Sequence, residues 1–396
     1  MDRYITISKH SLVLVMLFVV QFVRMPYSQL FSYVKYLFII VMGLYILKYI
    51  RLLKSTKYMS INVWLVLFSI IVCSSSYINR TLVYNTNIFL TSIVFCVSLI
   101  ESFFCLEIMI QTVSPAIVVK TIKNCALVEI VVIDILYFCM FDFLYIKGND
   151  YIIGSKFSIA YAHLFAFVMY IVYTMYIKRK KIIKCSILFL FSCFMCIKVD
   201  CMTGLVGLIL ILLMCFIINK SEFFNRTIIN PYFLLTVIVL CFLYIFVADL
   251  ILNNPYINNF IHTYMDEEGT MESRNKIYKL SLLALSKRPL IGYGYNSSYE
   301  LGMAFGKFAN TQNSVLEWIW QSGVFGTIIM ITFVCSAFGK VKRNCGKLYI
   351  VLPFLSLFYV YILLGTVEIT FNSVFFTLLA FMLYFSEKCD KKNIQK

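Results

Sequence analysis

The chain has 396 residues, of which 61% are hydrophobic and only 14% are charged. A soluble domain is about half apolar and about a quarter charged, so this composition excludes a soluble globular protein and predicts a polytopic membrane protein. The net charge of +16 does not indicate nucleic-acid binding, because lysine and arginine occur in short clusters between apolar runs.

Apolar runs long enough to span a bilayer, which takes about 20 residues, follow one another along almost the whole chain. Neither a linker nor an internal repeat divides them, so we expect one all-α membrane domain over residues 1–396 with about twelve transmembrane helices. The predicted spans are Ser11–Val23, Leu30–Leu47, Tyr58–Ile78, Ile88–Ile110, Cys125–Ile146, Phe157–Ile177, Ile182–Val199, Thr203–Ile218, Pro231–Leu250, Ser314–Phe338, Leu348–Gly365 and Ile369–Phe385.

The basic residues predict the orientation of these spans. With the N-terminus inside, most of the 35 lysine and arginine residues fall in the inner connections, as the positive-inside rule requires. We therefore expect both termini in the cytoplasm and the long polar interval over residues 251–313 on the outer side. The short outer turns hold only Arg24, Arg80, Lys147, Lys156 and Lys198.

The sequence does not predict a metal or another cofactor. Its 14 cysteines lie almost wholly within apolar runs, where a thiol behaves as a small hydrophobe. The histidines, His10, His163 and His262, are too far apart in the sequence to suggest a ligand cluster.

The polar interval over residues 251–313 is the predicted catalytic loop, since loops held by a rigid scaffold often carry function. Within it, four apolar residues at helical spacing predict a short amphipathic helix over Asn275–Ser286 that lies across the outer mouth of the bundle. Pro289 would end this helix. The four apolar residues are Ile277, Leu280, Leu283 and Ala284.

Arg274 is the first candidate ligand for an anion. Thr270 or Ser273 could cap the loop helix, which would place Arg274 in the first turn, where the helix dipole disfavours a cation. An anion held between the helix end and the guanidinium would explain the arginine. The alternative is an ion pair with one of the acidic residues at positions 266–268.

A second basic cluster follows the loop helix. Lys287 and Arg288 precede Pro289 and a turn that contains Gly292 and Gly294. Glycine permits positive φ and close backbone approach, so the turn could cradle a phosphate, although many ordinary loops share this composition. After the turn, a polar stretch over residues 310–318 leads back into the membrane.

The order of these motifs resembles that found in the O-antigen polymerase and ligase superfamily, which includes the Wzy-type polymerases of bacterial surface polysaccharides. The resemblance implies many membrane helices and one large external loop. The family's loop contains an arginine, a helix, a Pro-Leu-Gly-x-Gly turn, His-Asn-x-x-Leu-Glu and Gly-x-x-Gly. The matching residues are Arg274, Pro289, Leu290, Gly292, Gly294, Asn313, Leu316, Glu317, Gly323 and Gly326, and Thr203-Gly204-Leu205 resembles a Ser-Arg-Thr-Gly helix start.

Two residues depart from the family pattern. Gln312 stands at the family's histidine, and it can form hydrogen bonds but cannot shuttle a proton at neutral pH. Met202 stands at the family's helix-start arginine. Lys198, one turn earlier, or Arg288 could supply the missing cation.

The resemblance implies a metal-independent glycosyltransferase of the bacterial inner membrane that uses a polyprenyl (undecaprenyl) diphosphate glycan as donor. Cations would stabilise the departing diphosphate, and a base would accept the proton of the attacking hydroxyl. The implied catalytic residues are Arg274, Arg288 and Glu317, with Glu272, Asp249 and His262 as alternative bases. The implied substrate-binding residues are Lys287, Gly292, Gly294, Gln312, Asn313 and Lys198.

Among the possible reactions, we predict polymerisation of lipid-linked repeat units into O-antigen, capsular polysaccharide or exopolysaccharide, with a chain-length regulator as a possible protein partner. A ligase of the same superfamily would instead transfer a finished glycan to another acceptor. A flippase for the same lipid-linked units is the alternative from a different class, although a long external loop with a helix and a glycine turn is not expected of it.

Charged residues within the predicted spans should pair across helices or line a path for sugars, because a charge in the bilayer is costly. Pairing is the favoured interpretation. Trp318 and Trp320 could stack on sugars, although aromatic residues at membrane interfaces usually anchor helices. The charged residues are Lys35, Glu101, Glu107, Glu129, Asp134, Asp142 and Glu368.

Overall fold

Helices form nearly all of the regular structure in the computed structural model, which describes residues 2–54, 58–147, 150–177, 182–252, 270–344 and 348–388. A 3-10 helix, Ile50–Lys54, follows α2. In chain order the α-helices are α1 (Asp2–Gln21), α2 (Gln29–Tyr49), α3 (Met59–Ile78), α4 (Ile88–Thr112), α5 (Pro115–Cys139), α6 (Phe141–Leu144), α7 (Lys156–Tyr176), α8 (Ile182–Lys198), α9 (Met202–Lys220), α10 (Glu222–Ile228), α11 (Pro231–Leu252), α12 (Thr270–Leu285), α13 (Ser298–Gly306), α14 (Ser314–Asn344), α15 (Leu348–Leu364) and α16 (Ser373–Lys388).

The all-α polytopic fold predicted from the composition is confirmed. Six helices of the described chain are long and apolar enough to cross a membrane, and four shorter helices are also apolar. Each predicted span overlaps one of the helices. The six long helices cover Gln29–Leu53, Met59–Ile78, Ile88–Thr112, Lys156–Tyr176, Pro231–Ala248 and Ser314–Asn344.

The largest difference from the predicted spans lies between α5 and α7. Helix α5 begins at Pro115, a favourable first residue of a helix, and ends at Cys139. The apolar residues that follow, which the hydrophobic run predicts to belong to the same span, form α6 and part of a small antiparallel sheet. The strands of this sheet are β1 (Tyr145–Lys147), β2 (Asp150–Tyr151) and β3 (Gly154–Ser155), in the order β1-β2-β3.

Helices α15 and α16 lie in the centre of the bundle. Buried aromatic and aliphatic residues occur all around both helices, as expected of helices surrounded by other helices. The predicted last span was to begin at Ile369, whereas α16 begins at Ser373. The connection over residues 365–372 is therefore a turn, and it reaches the middle of one end of the bundle.

Several connections meet at this end, which we call the loop end. Arg24, after α1, donates from Nη2 to Ser373 Oγ at 2.9 Å. Asn79, after α3, donates to the carbonyl of Gly292 at 3.1 Å. The side-chain Nδ2 of Asn313 donates to the carbonyl of Thr366 at 3.1 Å. These are the connections that the basic-residue distribution predicts to be on the outer side, and their orientation in the membrane remains a prediction.

The amphipathic loop helix corresponds to α12. Its residues Tyr278, Ala284 and Leu285 are buried in an apolar cluster with residues of α11 and α14. Leu283, predicted for the apolar face, is 66% exposed, because the buried face is turned toward Tyr278 and Leu285. Since α12 already includes Thr270, Arg274 lies beyond its first turn, and the argument from the helix dipole does not apply.

Candidate active site

A cavity of about 340 Å³ lies at the loop end, between the α1–α2 turn, α5, α7 and the α15–α16 turn. We call it the polar cavity, because charged groups, amides and hydroxyl groups form much of its wall. The polar residues that line it are Arg24, Glu129, Ser155, Ser158, Tyr161, Asn310, Gln312, Tyr361, Glu368 and Asn372.

Arg274 reaches the wall of the polar cavity through an ion pair. Its Nη2 lies 3.2 Å from Oε1 of Glu368, and the two side chains are only 16% and 10% exposed. Glu368 is itself a lining residue of the cavity. The acidic residues at 266–268, which we considered as partners of Arg274, lie outside the described residues. The pair therefore presents a carboxylate to the cavity, with an arginine behind it.

Arg24 is a functional candidate that belongs to none of the sequence motifs. It lines the polar cavity and two neighbouring cavities. Burial lowers the pKa of its guanidinium, while electrostatic interactions with Tyr295 and Glu129 oppose this change. The signal available in the sequence was its position, a basic residue at the predicted outer end of a span, where few basic residues occur.

A second cation, Lys35 of α2, lies in the same region. Its Nζ donates to the carbonyl of Val23 at 2.7 Å. Lys35 also lines a cavity of about 260 Å³ that Arg24 shares. Arg24 of the α1–α2 turn, at the border of the polar cavity, therefore has a second basic residue as a neighbour.

An apolar groove of about 350 Å³ between α1 and α5 adjoins the polar cavity. Phe22, Arg24, Glu129 and Ser158 line both spaces. Several groove residues are exposed on the side of the bundle, where a membrane helix faces lipid. Apart from the shared residues, its apolar side chains are Val15, Phe18, Val19, Val23, Met25, Val128, Val132, Ile133 and Ile153.

Glu317, the predicted base, holds the loop together in this structure. Its Oε1 accepts hydrogen bonds from Ser298 Oγ and from Nε2 of Gln321, the latter at 2.8 Å. Its Oε2 accepts from the backbone N–H of Thr311 at 3.1 Å and from Oγ1 of the same residue at 2.9 Å. The carboxylate is buried and does not line the polar cavity. Its role as the base remains a prediction, and the geometry favours a bracing role.

Asn313 and Gln312 occupy neighbouring positions with different roles. Asn313 caps α14, with Oδ1 accepting from the N–H groups of Val315 and Leu316 at 3.1 and 3.0 Å. Its Nδ2 donates to carbonyl groups on α11 and the α15–α16 turn, so its hydrogen-bonding capacity is used within the protein. Gln312 has φ +55° and lines the polar cavity, at the position of the family's histidine.

The glycine turn docks onto α14. Gly292 and Gly294 have φ +75° and +97°, and the N–H groups of Tyr293 and Gly294 donate to the carbonyls of Trp320 and Gln321 at 2.7 and 3.0 Å. The Gly292 N–H donates to the Arg288 carbonyl. Because protein carbonyls occupy all three N–H groups, a phosphate-binding role for the turn remains a prediction without support from this geometry.

Three predicted cations do not line the polar cavity. Arg288 donates from Nη1 to Oδ1 of Asn79. Lys287 is exposed, with Nζ 5.9 Å from the ring centroid of Phe305. Lys198 is also exposed, and its Nζ lies 5.7 Å from the ring centroid of Phe194.

The alternative bases cannot be placed in this site. His262 lies outside the described residues. Asp249 and Glu272 belong to α11 and α12, but their side chains are outside the described part of the structure. Glu368 and Glu129 are the carboxylates that line the polar cavity.

Part of the chain matches a known protein family. Residues 187–331 match the family described as O-antigen ligase. The matched segment contains Arg274, the glycine turn and the first part of α14. No curated protein matches the chain. The family points to ligase- or polymerase-type transfer of glycans and does not separate the two activities.

Proposed function

We propose, from the match of residues 187–331 to the O-antigen ligase family, that the chain is a polysaccharide polymerase of the bacterial cytoplasmic membrane. It would transfer the growing glycan from its polyprenyl diphosphate carrier to the non-reducing end of the next lipid-linked repeat unit. The transfer would occur at the outer face, and a chain-length regulator would be a possible partner. The observation that carries the proposal is the junction of the apolar groove and the polar cavity at Arg24.

The junction suits a substrate with one apolar part and one polar part. A polyprenyl chain would enter the groove from the lipid between α1 and α5. Its diphosphate would lie beside Arg24 and Lys35, whose positive charges compensate for lost hydration and for the charge that develops on the leaving group. The sugar attached to the diphosphate would then occupy the polar cavity, where amides and hydroxyl groups can bind it.

The proposed transfer exchanges one bond at the anomeric carbon of the donor sugar. The acceptor hydroxyl oxygen bonds to this carbon, and the bond from the carbon to the phosphate oxygen breaks. The electron pair of that bond leaves with the diphosphate. We assign the hydroxyl proton to the carboxylate of Glu368, which lines the cavity and is oriented by Arg274. Arg274 acts through Glu368 and is a positioning residue.

The experiment that tests this function is the glycan profile of a strain that lacks the gene, resolved by size and by lipid attachment. Single repeat units displayed outside, and restored to a ladder by the wild-type gene but not by an Arg24→Ala variant, would support the polymerase. Full-length polymer retained on its lipid carrier would instead identify a ligase. Single units confined to the inner leaflet would identify a flippase and contradict the proposal.

A further inference from the structure

A further cavity, of about 300 Å³, lies beside the polar cavity and has no role in the mechanism above. Asn310, Ile369 and Asn372 line both spaces, so they form the border between them. We call it the aromatic cavity. Its aromatic lining residues are Tyr295, Tyr299, Trp318 and Phe371.

Gln321, one of the residues that line the aromatic cavity, has an unused hydrogen-bond acceptor. The side-chain Oε1 of Gln321 is buried and has no hydrogen-bond partner among the described residues. Its Nε2 donates to Glu317 at 2.8 Å, which fixes the amide orientation, because the opposite orientation would place two oxygens against each other. A buried acceptor of this kind costs free energy until a donor, such as a ligand hydroxyl, reaches it.

The charge of this cavity differs from that of the polar cavity. Glu317 is the charged member of its described lining, and both carboxylate oxygens already accept two hydrogen bonds each. Its described lining includes neither lysine nor arginine. Aromatic faces, planar amides and the absence of a lining cation favour a neutral ligand that has both apolar and hydroxyl-bearing surfaces. A pyranose ring has these properties.

We propose that the aromatic cavity binds the neutral sugar at the non-reducing end of the acceptor repeat unit. The inference rests on the proposed polymerase function and adds the acceptor's position. The attacking hydroxyl would cross the border at Asn310 and Asn372 and meet the donor sugar in the polar cavity. Tyr299, which is 66% exposed, would cover one face of the acceptor ring, and Gln321 would accept a hydrogen bond from one of its hydroxyl groups.

The test uses purified protein in lipid nanodiscs. The donor is the lipid-linked repeat unit isolated from the deletion strain, and the acceptor is a water-soluble glycoside of the same unit. The variants are Tyr299→Ala, which changes an exposed side chain, and Gln321→Leu. Tyr84→Ala is the matched control, since Tyr84 is 89% exposed at the same end of the bundle and lines none of the cavities described above.

The expected result is a rise of about tenfold in the acceptor KM of the Tyr299 and Gln321 variants, with the donor KM unchanged. A raised donor KM would mean that the cavity holds the donor glycan, and unchanged values for both substrates would mean that no sugar binds there. Either result overturns the inference while the transfer by the wild-type protein still supports the polymerase. A wild-type protein that transfers nothing overturns both proposals.

A second measurement tests the neutral charge of the acceptor sugar. The repeat unit from the deletion strain is analysed by mass spectrometry and methylation analysis, which identify the sugar at its non-reducing end. A neutral hexose or N-acetylhexosamine is expected. A terminal uronic acid or phosphorylated sugar would overturn the assignment, because the described lining offers no cation to compensate its charge.

Discussion

Arg274 and Glu368 form an ion pair between α12 and the α15–α16 turn, with 3.2 Å between Nη2 and Oε1. They are 94 positions apart in the sequence. The pair fixes the carboxylate at the wall of the polar cavity, where we place the reaction centre.

The Arg274→Ala variant should lose chain growth by about 100-fold or more, because the carboxylate that accepts the proton loses its orienting partner. Removing one member of a largely buried pair also destabilises a protein by about 3–5 kcal/mol. The unfolding temperature in detergent and the abundance in the membrane must therefore be measured beside the length of the glycan ladder.

The double variant Arg274→Ala/Glu368→Gln separates stability from chemistry. Because it removes both charges, it should recover much of the unfolding temperature that the single variant loses. Transfer should remain absent, since the glutamine amide cannot accept the proton. Recovery of the glycan ladder would contradict a catalytic role for Glu368 and leave the pair a purely structural one.

Arg24→Ala should lower kcat/KM for the lipid-linked donor by about 100-fold, since Arg24 would stabilise the departing diphosphate. Arg24→Lys should recover only part of the activity, because an ammonium keeps the charge without the planar donor geometry. Arg80→Ala is the control, as Arg80 is exposed and donates to the carbonyl of Tyr77. Equal kinetics for the Arg24 and Arg80 variants would exclude Arg24 from the site.

Filling the apolar groove should select against long lipid chains. Val132 of α5 lines the groove, whereas Val131 is exposed on the same helix and does not line it. Val132→Trp should raise the KM for a donor with a full-length polyprenyl chain more than for one with a short chain. Val131→Trp should leave both values unchanged. If the KM values of the Val132→Trp variant for both donors equal those of the wild type, the lipid chain binds elsewhere.

Gly292→Ala should destabilise the loop without a selective effect on donor binding. An alanine Cβ would lie 2.5 Å from the carbonyl oxygen of Trp320 and 2.5 Å from the nitrogen of Gly323, in a backbone conformation that disfavours side chains. We expect a loss of about 1–3 kcal/mol and faster proteolysis within the loop. At Gly339 an added Cβ meets nothing within 4 Å, so Gly339→Ala is the matched control. A raised donor KM with an unchanged unfolding temperature would instead support the phosphate cradle.

Local patterns were sufficient to predict the helices and the superfamily. Apolar run lengths located the membrane helices, and the motif order identified the superfamily that the match over residues 187–331 confirms. The small antiparallel sheet after α6 was not predicted, because the apolar residues of its first strand continue the hydrophobic run of α5.

Long-range contacts explain most of what the sequence did not predict about the site. Glu368 was expected only to pair with another charged residue or to line a path for sugars. Its partner, Arg274, lies 94 positions away in the sequence. Arg24 comes to the cavity because α1 packs beside α5, which no spacing in the sequence encodes. The motif residues Asn313 and Glu317 form hydrogen bonds that hold the loop, whereas Gln312 beside them lines the cavity.

The polar cavity is only partly built from the segment that defines the family. Asn310 and Gln312 lie within residues 187–331, whereas Arg24, Glu129 and Glu368 lie before or after it. The shared segment therefore supplies the loop framework and most of the aromatic cavity, whereas the rest of the chain supplies most of the polar cavity, where we place the donor sugar. Exchanging the α1–α2 and α15–α16 turns between two such proteins should transfer the preference for the donor sugar, and exchanging the shared segment alone should not.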